Sequence, residues 1–215
     1  MRVLDRVIIP EILDSLNPAD PRARRSRRDL RWIDLCLGNS RWILSQLKKQ
    51  SPASSRIVEI GAGEGGLCQS IQAAFPPAKL TGLDLVPRPT SLPEEIEWVS
   101  GDFFQTLPET DADTCVGSLI LHHFGEGALR DLGHRFQSFR RLLFCEPLRS
   151  RRPLLLSRVA SVFMGEVTRH DMPTSIRAGF RPGELQALLG LDSKKWLVHE
   201  SISQTMTLRF AAAKA

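Results

Sequence analysis

The sequence predicts an α/β protein built on a doubly wound, mostly parallel sheet. From residue 56 onward, strand-like runs rich in β-branched residues alternate with helix-length segments, the pattern of strand–helix–strand crossovers. The first strand ends in a glycine turn that opens a helix. The fourth, DTCVGSLIL (113–121), is a long apolar run, as a central strand covered on both faces requires.

In order, the chain before residue 51 reads as helices. Ile8, Ile9, Ile12, Leu13 and Leu16 fall on one helical face. NPADP (17–21) breaks the chain. A second helix is expected from Ser26, with Asp29 three residues on as a capping-box-like pair and Leu30, Ile33 and Leu37 as its apolar stripe. Gly38-Asn39 ends it, and Trp42, Ile43 and Leu47 mark a third, short helix. SPASS (51–55) is a polar, turn-prone linker. The expected division is an N-terminal helical lid segment, 1–50, and a main domain, 51–215. In the main domain RIVEIGA (56–62) is a strand, and GGLCQSIQAAF (65–75) is a helix stopped by Pro76-Pro77. KLTGLDL (79–85) and IEWVSGDFF (96–104) are the next strands. GEGALRDLGHRFQSF (125–139) is helical and RLLFCEP (141–147) is the fifth strand.

Composition narrows the function classes. Of the 215 residues, 42% are apolar and 25% charged, which is ordinary for a globular protein. No run of eighteen apolar residues exists, so no membrane span is expected. MRVLDRVIIPEILD carries acids in its apolar stretch and does not read as a secretory signal. Cys36, Cys68, Cys115 and Cys145 are scattered without a CxxC pair. Free buried thiols in a reducing cytoplasm are expected, and no metal site. The net charge is +5; residues 1–50 hold 11 Lys and Arg against 6 Asp and Glu, and the remainder holds 18 of each. The basic excess therefore lies in the N-terminal segment, six of its arginines in RARRSRRDLR (22–31). A charge-balanced main domain argues against a large nucleic-acid-binding face there.

The glycine turn is the first chemical motif. Gly61-x-Gly63-x-x-Gly66 follows a strand and precedes a helix, so backbone and ligand can approach closely. Dinucleotide oxidoreductases and methyltransferases share this pattern. Glu59, two residues before the first glycine, and Glu64, inside the loop, would repel a pyrophosphate at the helix N-terminus. They suit a ligand with an ammonium group and a sulfonium charge. Asp84, at the tip of the second strand, can accept hydrogen bonds from both hydroxyls of a ribose. At the tip of the third strand, Asp102 can accept from an exocyclic amine and Phe103 can stack on a purine.

Together VEIGAGEG, LTGLDL, WVSGDFF and DTCVGSLILHHFGE, followed by LLFCEP, closely resemble the successive motifs of class I S-adenosylmethionine-dependent methyltransferases. The resemblance covers residues 56 to about 147 in order and spacing. More loosely, FRPGEL, KWLVHES and TMTLRFAA look like that fold's closing elements. It implies a Rossmann-like sheet of seven strands, mostly parallel, with S-adenosylmethionine as cofactor and S-adenosylhomocysteine as product. LILHHF and the strand ending in EP look most like the small-molecule enzymes of ubiquinone and menaquinone biosynthesis. By the same resemblance, Glu59, Gly61, Ala62 and Gly63 hold the amino-acid end of the cofactor. Asp84 holds the ribose, with Leu85 beside the adenine. Asp102 and Phe103 hold the adenine, and Ser118 lines the pocket near the methionine moiety. One departure is VPRPTSLPEE (86–95), whose prolines imply a short or missing helix and a partly uncovered sheet edge. Another is Ser118-Leu119-Ile120-Leu121, where base amino-methylases typically carry (Asp/Asn)-Pro-Pro-aromatic.

His122 and His123 end the fourth strand, at the edge where open α/β sheets place ligands. An imidazole there could deprotonate a phenol or enol, or pack structurally under the next helix. His123 is the candidate base and His122 a candidate substrate contact. The insertion near 150–178 is expected to form a substrate lid. Its apolar LLLSRVASVFMG (154–165) walls a pocket, and His170, Asp171 and Arg177 form a polar cluster, with His170 a catalytic candidate and Arg177 a substrate contact. Methyl transfer to a hydroxyl oxygen or activated carbon of an aromatic, quinone-like or polyketide-like molecule is the expected activity, in a monomer or homodimer. The rival readings are a nicotinamide (NAD-dependent) oxidoreductase, a nucleic-acid methyltransferase and a non-catalytic cofactor-binding relative. RARRSRRDLR reads as the hinge and start of a lid, with Arg27, Arg28 and Arg31 in the first turn of a helix and paired to acids of the main domain or to the acceptor.

Overall fold

The computed structural model of the chain describes residues 4–17, 19–49, 55–107 and 111–215. Its centre is a seven-stranded sheet, β1 Arg56–Ile60, β2 Lys79–Asp84, β3 Glu97–Ser100, β4 Thr114–Ser118, β5 Arg141–Pro147, β6 Trp196–Ile202 and β7 Thr207–Lys214. The order is β3-β2-β1-β4-β5-β7-β6, with β7 the strand inserted antiparallel. This is the expected doubly wound, mostly parallel sheet. Strand order reverses at β1 and β4, where such sheets open a ligand crevice at their carboxyl edge.

Two apolar layers bury the sheet. One holds Val58, Ile60, Leu83, Phe136, Phe144 and Phe210. The other holds Ile43, Leu47, Ile57, Cys68, Ile71 and Val116. Alternate residues of β1 go to opposite layers, as strand periodicity demands. No helix joins β2 to β3. Arg88 donates to the carbonyls of Leu92, Pro93 and Ile96 and folds the proline-rich segment into a compact loop. That loop buries Leu92 and Ile96, while the edge strand β3 is only partly covered, as expected.

The N-terminal elements differ from the sequence expectation. Of this stretch only Ile12–Ser15 is helical (α1), and residues 4–11 have no regular secondary structure. Pro10 removes a donor and pushes Ile9 out of the helical region. The backbone then bonds to the body instead. The Leu4 carbonyl accepts from Arg149 and Arg181, and the Val7 N–H donates to the Arg177 carbonyl at 3.3 Å. The second helix, α2, spans Pro21–Leu37 and starts five residues before Ser26. Asp20 is its cap, accepting from the Arg22 N–H, and Pro21 takes the first helical position, where a missing donor costs nothing. Ser26 and Asp29 are buried side chains of mid-helix, not a capping box. Arg27, Arg28 and Arg31 consequently stand clear of the first turn. Gly38, at φ 67, turns the chain directly into α3, Asn39–Lys48.

After α4 (Gly66–Ala74), α5 (Phe103–Thr106) and α6 (Glu126–Arg135), the segment beyond β5 folds as α7 (Arg151–Ala160) and α8 (Glu166–Ala178), followed by α9 (Glu184–Leu188). α2 and α7 both pack on α8. Cys68, Cys115 and Cys145 are buried free thiols, whereas Cys36 is exposed on α2. The SPASS linker lies outside the described residues except for Ser55.

Candidate active site

The carboxyl ends of β1, β2 and β4 form one continuous edge. After β1 the chain turns at Gly61 (φ 65) and Gly63 (φ 56). A Cβ on Gly61 would sit 2.5 Å from Ile120 Cγ1, so this position is closed to other residues by both conformation and space. Asp84 lies under the loop. Its Oδ2 accepts from the Gly63 N–H at 2.7 Å and its Oδ1 from the Val86 N–H at 3.1 Å. Each oxygen keeps a further lone pair. Ala62 is buried in the loop, and Leu85 is exposed beside Asp84.

Glu59 is buried beneath the loop and its Oε2 has no hydrogen-bond partner among the described residues. Burial raises its pKa to about 8, against a weaker opposing hydrogen bond with Cys68. Asn39, fully buried at the start of α3, donates through Nδ2 to Ser118 Oγ at 3.2 Å, and its Oδ1 is likewise unpartnered. Two buried acceptors without donors thus meet the end of the β1–β4 pair, an environment that favours a ligand rich in N–H donors. Asn39 was not among the sequence candidates, because a Gly-Asn helix end carries no mark of a site.

Glu64 behaves differently from Glu59. It is half exposed and paired with Arg31 of α2, which ties the helix to the glycine loop. Its charge is therefore offset, and Glu59, which burial keeps protonated at neutral pH, does not oppose a pyrophosphate by charge. Asp102 caps α5, accepting from the Phe104 N–H at 2.9 Å. Phe103 is buried in the core, stacked on Phe104 at 5.1 Å and edge-on to Phe124. Its ring packs under the edge and offers no open face for an adenine.

Beyond Ser118 the chain bends sharply at Leu119 (φ 58) into a single 3₁₀ turn, Leu121–His123. Glu146, wholly buried at the end of β5, accepts the N–H groups of Ile120, Leu121 and His122. It also accepts from the ring of His122 at Nδ1, 2.8 Å away. His122 Nε2 faces Glu11 Oε1 of the N-terminal strap at 3.5 Å. Burial pushes the His122 pKa down, but hydrogen bonds and charge from Glu11 and Glu146 outweigh it and raise the pKa to about 9. Burial pushes Glu11 up, but the His122 hydrogen bond, charge from His123 and His122 and a hydrogen bond from Ser175 hold it below the usual carboxylate range.

His123 is partly exposed, 3.3 Å from Asp14. Both histidines line a recess of about 220 Å³, closed by Ile8, Ile9, Glu11 and Thr174. His170 and Arg177 do not line it. His170 is half exposed and bonds Asp171, and the Arg177 side chain faces solvent. Of the expected His170–Asp171–Arg177 cluster only the His170–Asp171 pair forms; Asp171 also accepts the N–H groups of Ile12 and Leu13 at the start of α1, and the Arg177 side chain stays outside. The contributions of Glu11 and Arg6 were invisible in sequence. Arg6 donates to the carbonyls of Ala178, His122 and Phe124, contacts that only the non-helical strap makes possible.

Comparison with known proteins agrees with this geometry. Residues 39–141, just under half the chain, match the family model of the O-methyltransferase domain. Pluviatolide O-methyltransferase of Sinopodophyllum hexandrum is 35% identical over 86 residues, 39% of this chain and 23% of that protein. Acetylserotonin O-methyltransferase 3 of Oryza sativa subsp. japonica is 38% identical over 71 residues, 32% of this chain and 19% of that protein. The matches thus span about a quarter or less of these relatives' length. Among solved structures, the plantazolicin methyltransferase BpumL in complex with a desmethylPZN analogue and SAH superimposes with a TM-score of 0.71, at 13% identity over 91% of each chain. Human N-acetylserotonin methyltransferase in complex with SAM gives 0.63 at 19% identity, over 94% of this chain and 61% of that one. At these identities the structural likeness is one of fold, and the chain has the S-adenosylmethionine-dependent methyltransferase fold.

Proposed function

We propose that the chain is an S-adenosylmethionine-dependent methyltransferase acting on a hydroxyl group of a small aromatic or otherwise apolar molecule. The carrying observation is the β1–β2–β4 edge, where the glycine loop and Asp84 stand beside two buried acceptors, Glu59 Oε2 and Asn39 Oδ1, that lack donors. A cofactor ammonium group would provide those donors. Asp84 retains lone pairs that would take ribose hydroxyls, and Asp102 and Leu85 would serve the adenine end. S-adenosylmethionine, when bound, supplies an electrophilic methyl group on its sulfonium.

The chain's own residues orient the acceptor and take its proton. Glu146 accepts the His122 Nδ1–H, which fixes the ring with Nε2 toward the recess. An acceptor hydroxyl entering there displaces Glu11 from Nε2. Glu11 leaves carrying the Nε2 proton, so the imidazole becomes neutral, with its Nδ1–H held by Glu146 and Nε2 free to accept the hydroxyl proton. His122 thereby takes the base role expected of His123, which lines the acceptor recess instead. His170 has no role in this reading. The relatives matched by sequence are O-methyltransferases by name, which favours oxygen as nucleophile. The likeness of LILHHF and EP to quinone-biosynthesis enzymes fits a phenolic acceptor. Residues 4–48 act as the lid, tied to the glycine loop by Arg31 and to the recess by Glu11.

Calorimetric titration with S-adenosylmethionine, S-adenosylhomocysteine and NADH tests the assignment. The first two bind the wild type with a stoichiometry of one, and Asp84→Ala abolishes the signal. Binding of NADH alone overturns it.

A further inference from the structure

The structure exposes a large apolar face that the methyl-transfer site does not use. Leu155, Leu156, Val159, Val162 and Phe163 on α7 and the turn after it are each between 55% and 76% exposed. They fall at helical spacings of three, four and seven, hence on one side. Trp32 of α2, 65% exposed, adjoins this face. Trp32 and Phe163 meet across a recess of about 350 Å³ that also holds Arg25, Arg28 and Met164. A contiguous exposed apolar face of this kind marks a contact surface.

Its rim is basic. Residues 150–165 contain Arg151, Arg152 and Arg158, all exposed, and no acid. α2 adds Arg24, Arg25 and Arg28 on its exposed sides. Among these, Arg25 pairs with Asp29 and reaches the Phe163 carbonyl. The basic excess of the N-terminal segment thus gathers around exposed Leu, Val, Phe and Trp side chains. Arginines beside a row of such residues, on helices lying flat against the body, are the makeup of an element that rests in a lipid interface. No helix among the described residues is long and apolar enough to cross a membrane.

We propose that α7 and the exposed side of α2 dock on the surface of an anionic lipid bilayer. Leu155, Leu156, Val159, Val162, Phe163 and Trp32 insert at the boundary between headgroups and acyl chains, and the arginines meet lipid phosphates. The arginine-rich stretch of α2 then serves two surfaces: Arg31 holds the glycine loop, and Arg28 with its neighbours holds the membrane. This proposal does not depend on the methyl-transfer reading.

Co-sedimentation of the full chain with phosphatidylcholine vesicles, with and without about 30% phosphatidylglycerol, provides the test. The wild type should bind the anionic vesicles, release them as salt rises, and bind the zwitterionic ones ~10-fold more weakly. Leu156→Ser with Phe163→Ser, and separately Arg152→Gln with Arg158→Gln, should each lower binding ~10-fold. All four side chains are exposed, so the variants keep the fold, and unchanged thermal unfolding verifies this. No binding to anionic vesicles at low salt overturns the proposal, as does equal binding to both vesicle types. A wild type that is a dimer by light scattering, made monomeric by the Ser pair and indifferent to vesicles, overturns it in favour of a second copy of the chain.

Discussion

Glu59→Gln isolates the cost of holding a carboxyl group under the glycine loop. Burial raises the group's pKa from 4.5 to about 8. Between those values the unfolded chain carries the group ionised while the native state keeps it protonated. Its contribution therefore favours the native state fully below pH 4.5 and is lost as pH rises through about 8. At 1.36 kcal/mol per pKa unit, going from pH 5 to pH 8 removes roughly 3 to 4 kcal/mol. Relaxation and water penetration bring the working expectation to ~2 kcal/mol. Urea denaturation of ligand-free protein at both pH values measures it, with the Gln variant as a reference that cannot titrate. The variant should gain ~2 kcal/mol on the wild type at pH 8 relative to pH 5. A cofactor ammonium group binds the ionised form, so wild-type affinity for S-adenosylmethionine should also rise from pH 6 to 7.5, while the variant binds weakly throughout. If the stability difference between the two proteins is constant within about 0.5 kcal/mol, Glu59 is not a buried neutral acid; if the variant binds S-adenosylmethionine as tightly as the wild type, the ammonium assignment falls.

Two further outcomes follow from the geometry. Gly61→Ala should cost about 2–4 kcal/mol in chemical denaturation, because φ is +65 and the new Cβ meets Ile120 near its branch point, where no flexible tip can swing away; a loss below about 0.5 kcal/mol would show that the loop repacks. His122→Asn should lower kcat on a phenolic acceptor ~100-fold while leaving S-adenosylmethionine affinity unchanged; full turnover removes His122 from proton transfer.

Much of the fold was legible because strand and helix periods are local. RLLFCEP forms β5 over the same residues, and the prolines of 86–95 do exclude a helix. The glycine turn and Asp84 were legible too, since a left-handed turn and a strand-tip acid announce themselves in residue type. The N-terminal segment was misread where local signals competed. Ile8 to Leu16 has a helical stripe, yet Pro10, the Val7 bond to the Arg177 carbonyl and the Asp171 carboxylate confine the helix to Ile12–Ser15. Asp20-Pro21 is itself a helix-start signal, and Ser26 with Asp29 masked it.

The sequence by itself determined the sheet, its winding and the chemistry of its edge, because these depend on periodicity, turn residues and the order of motifs. Which histidine meets buried carboxylates was decided only by tertiary structure. His122 and His123 are neighbours of the same type. One meets Glu146 from β5 and Glu11 from the strap, while the other faces the recess, and those partners lie 24 and 111 residues away from His122. Side-chain charge, pKa and burial at such a site are set by groups brought together across long loops, and no local pattern records them.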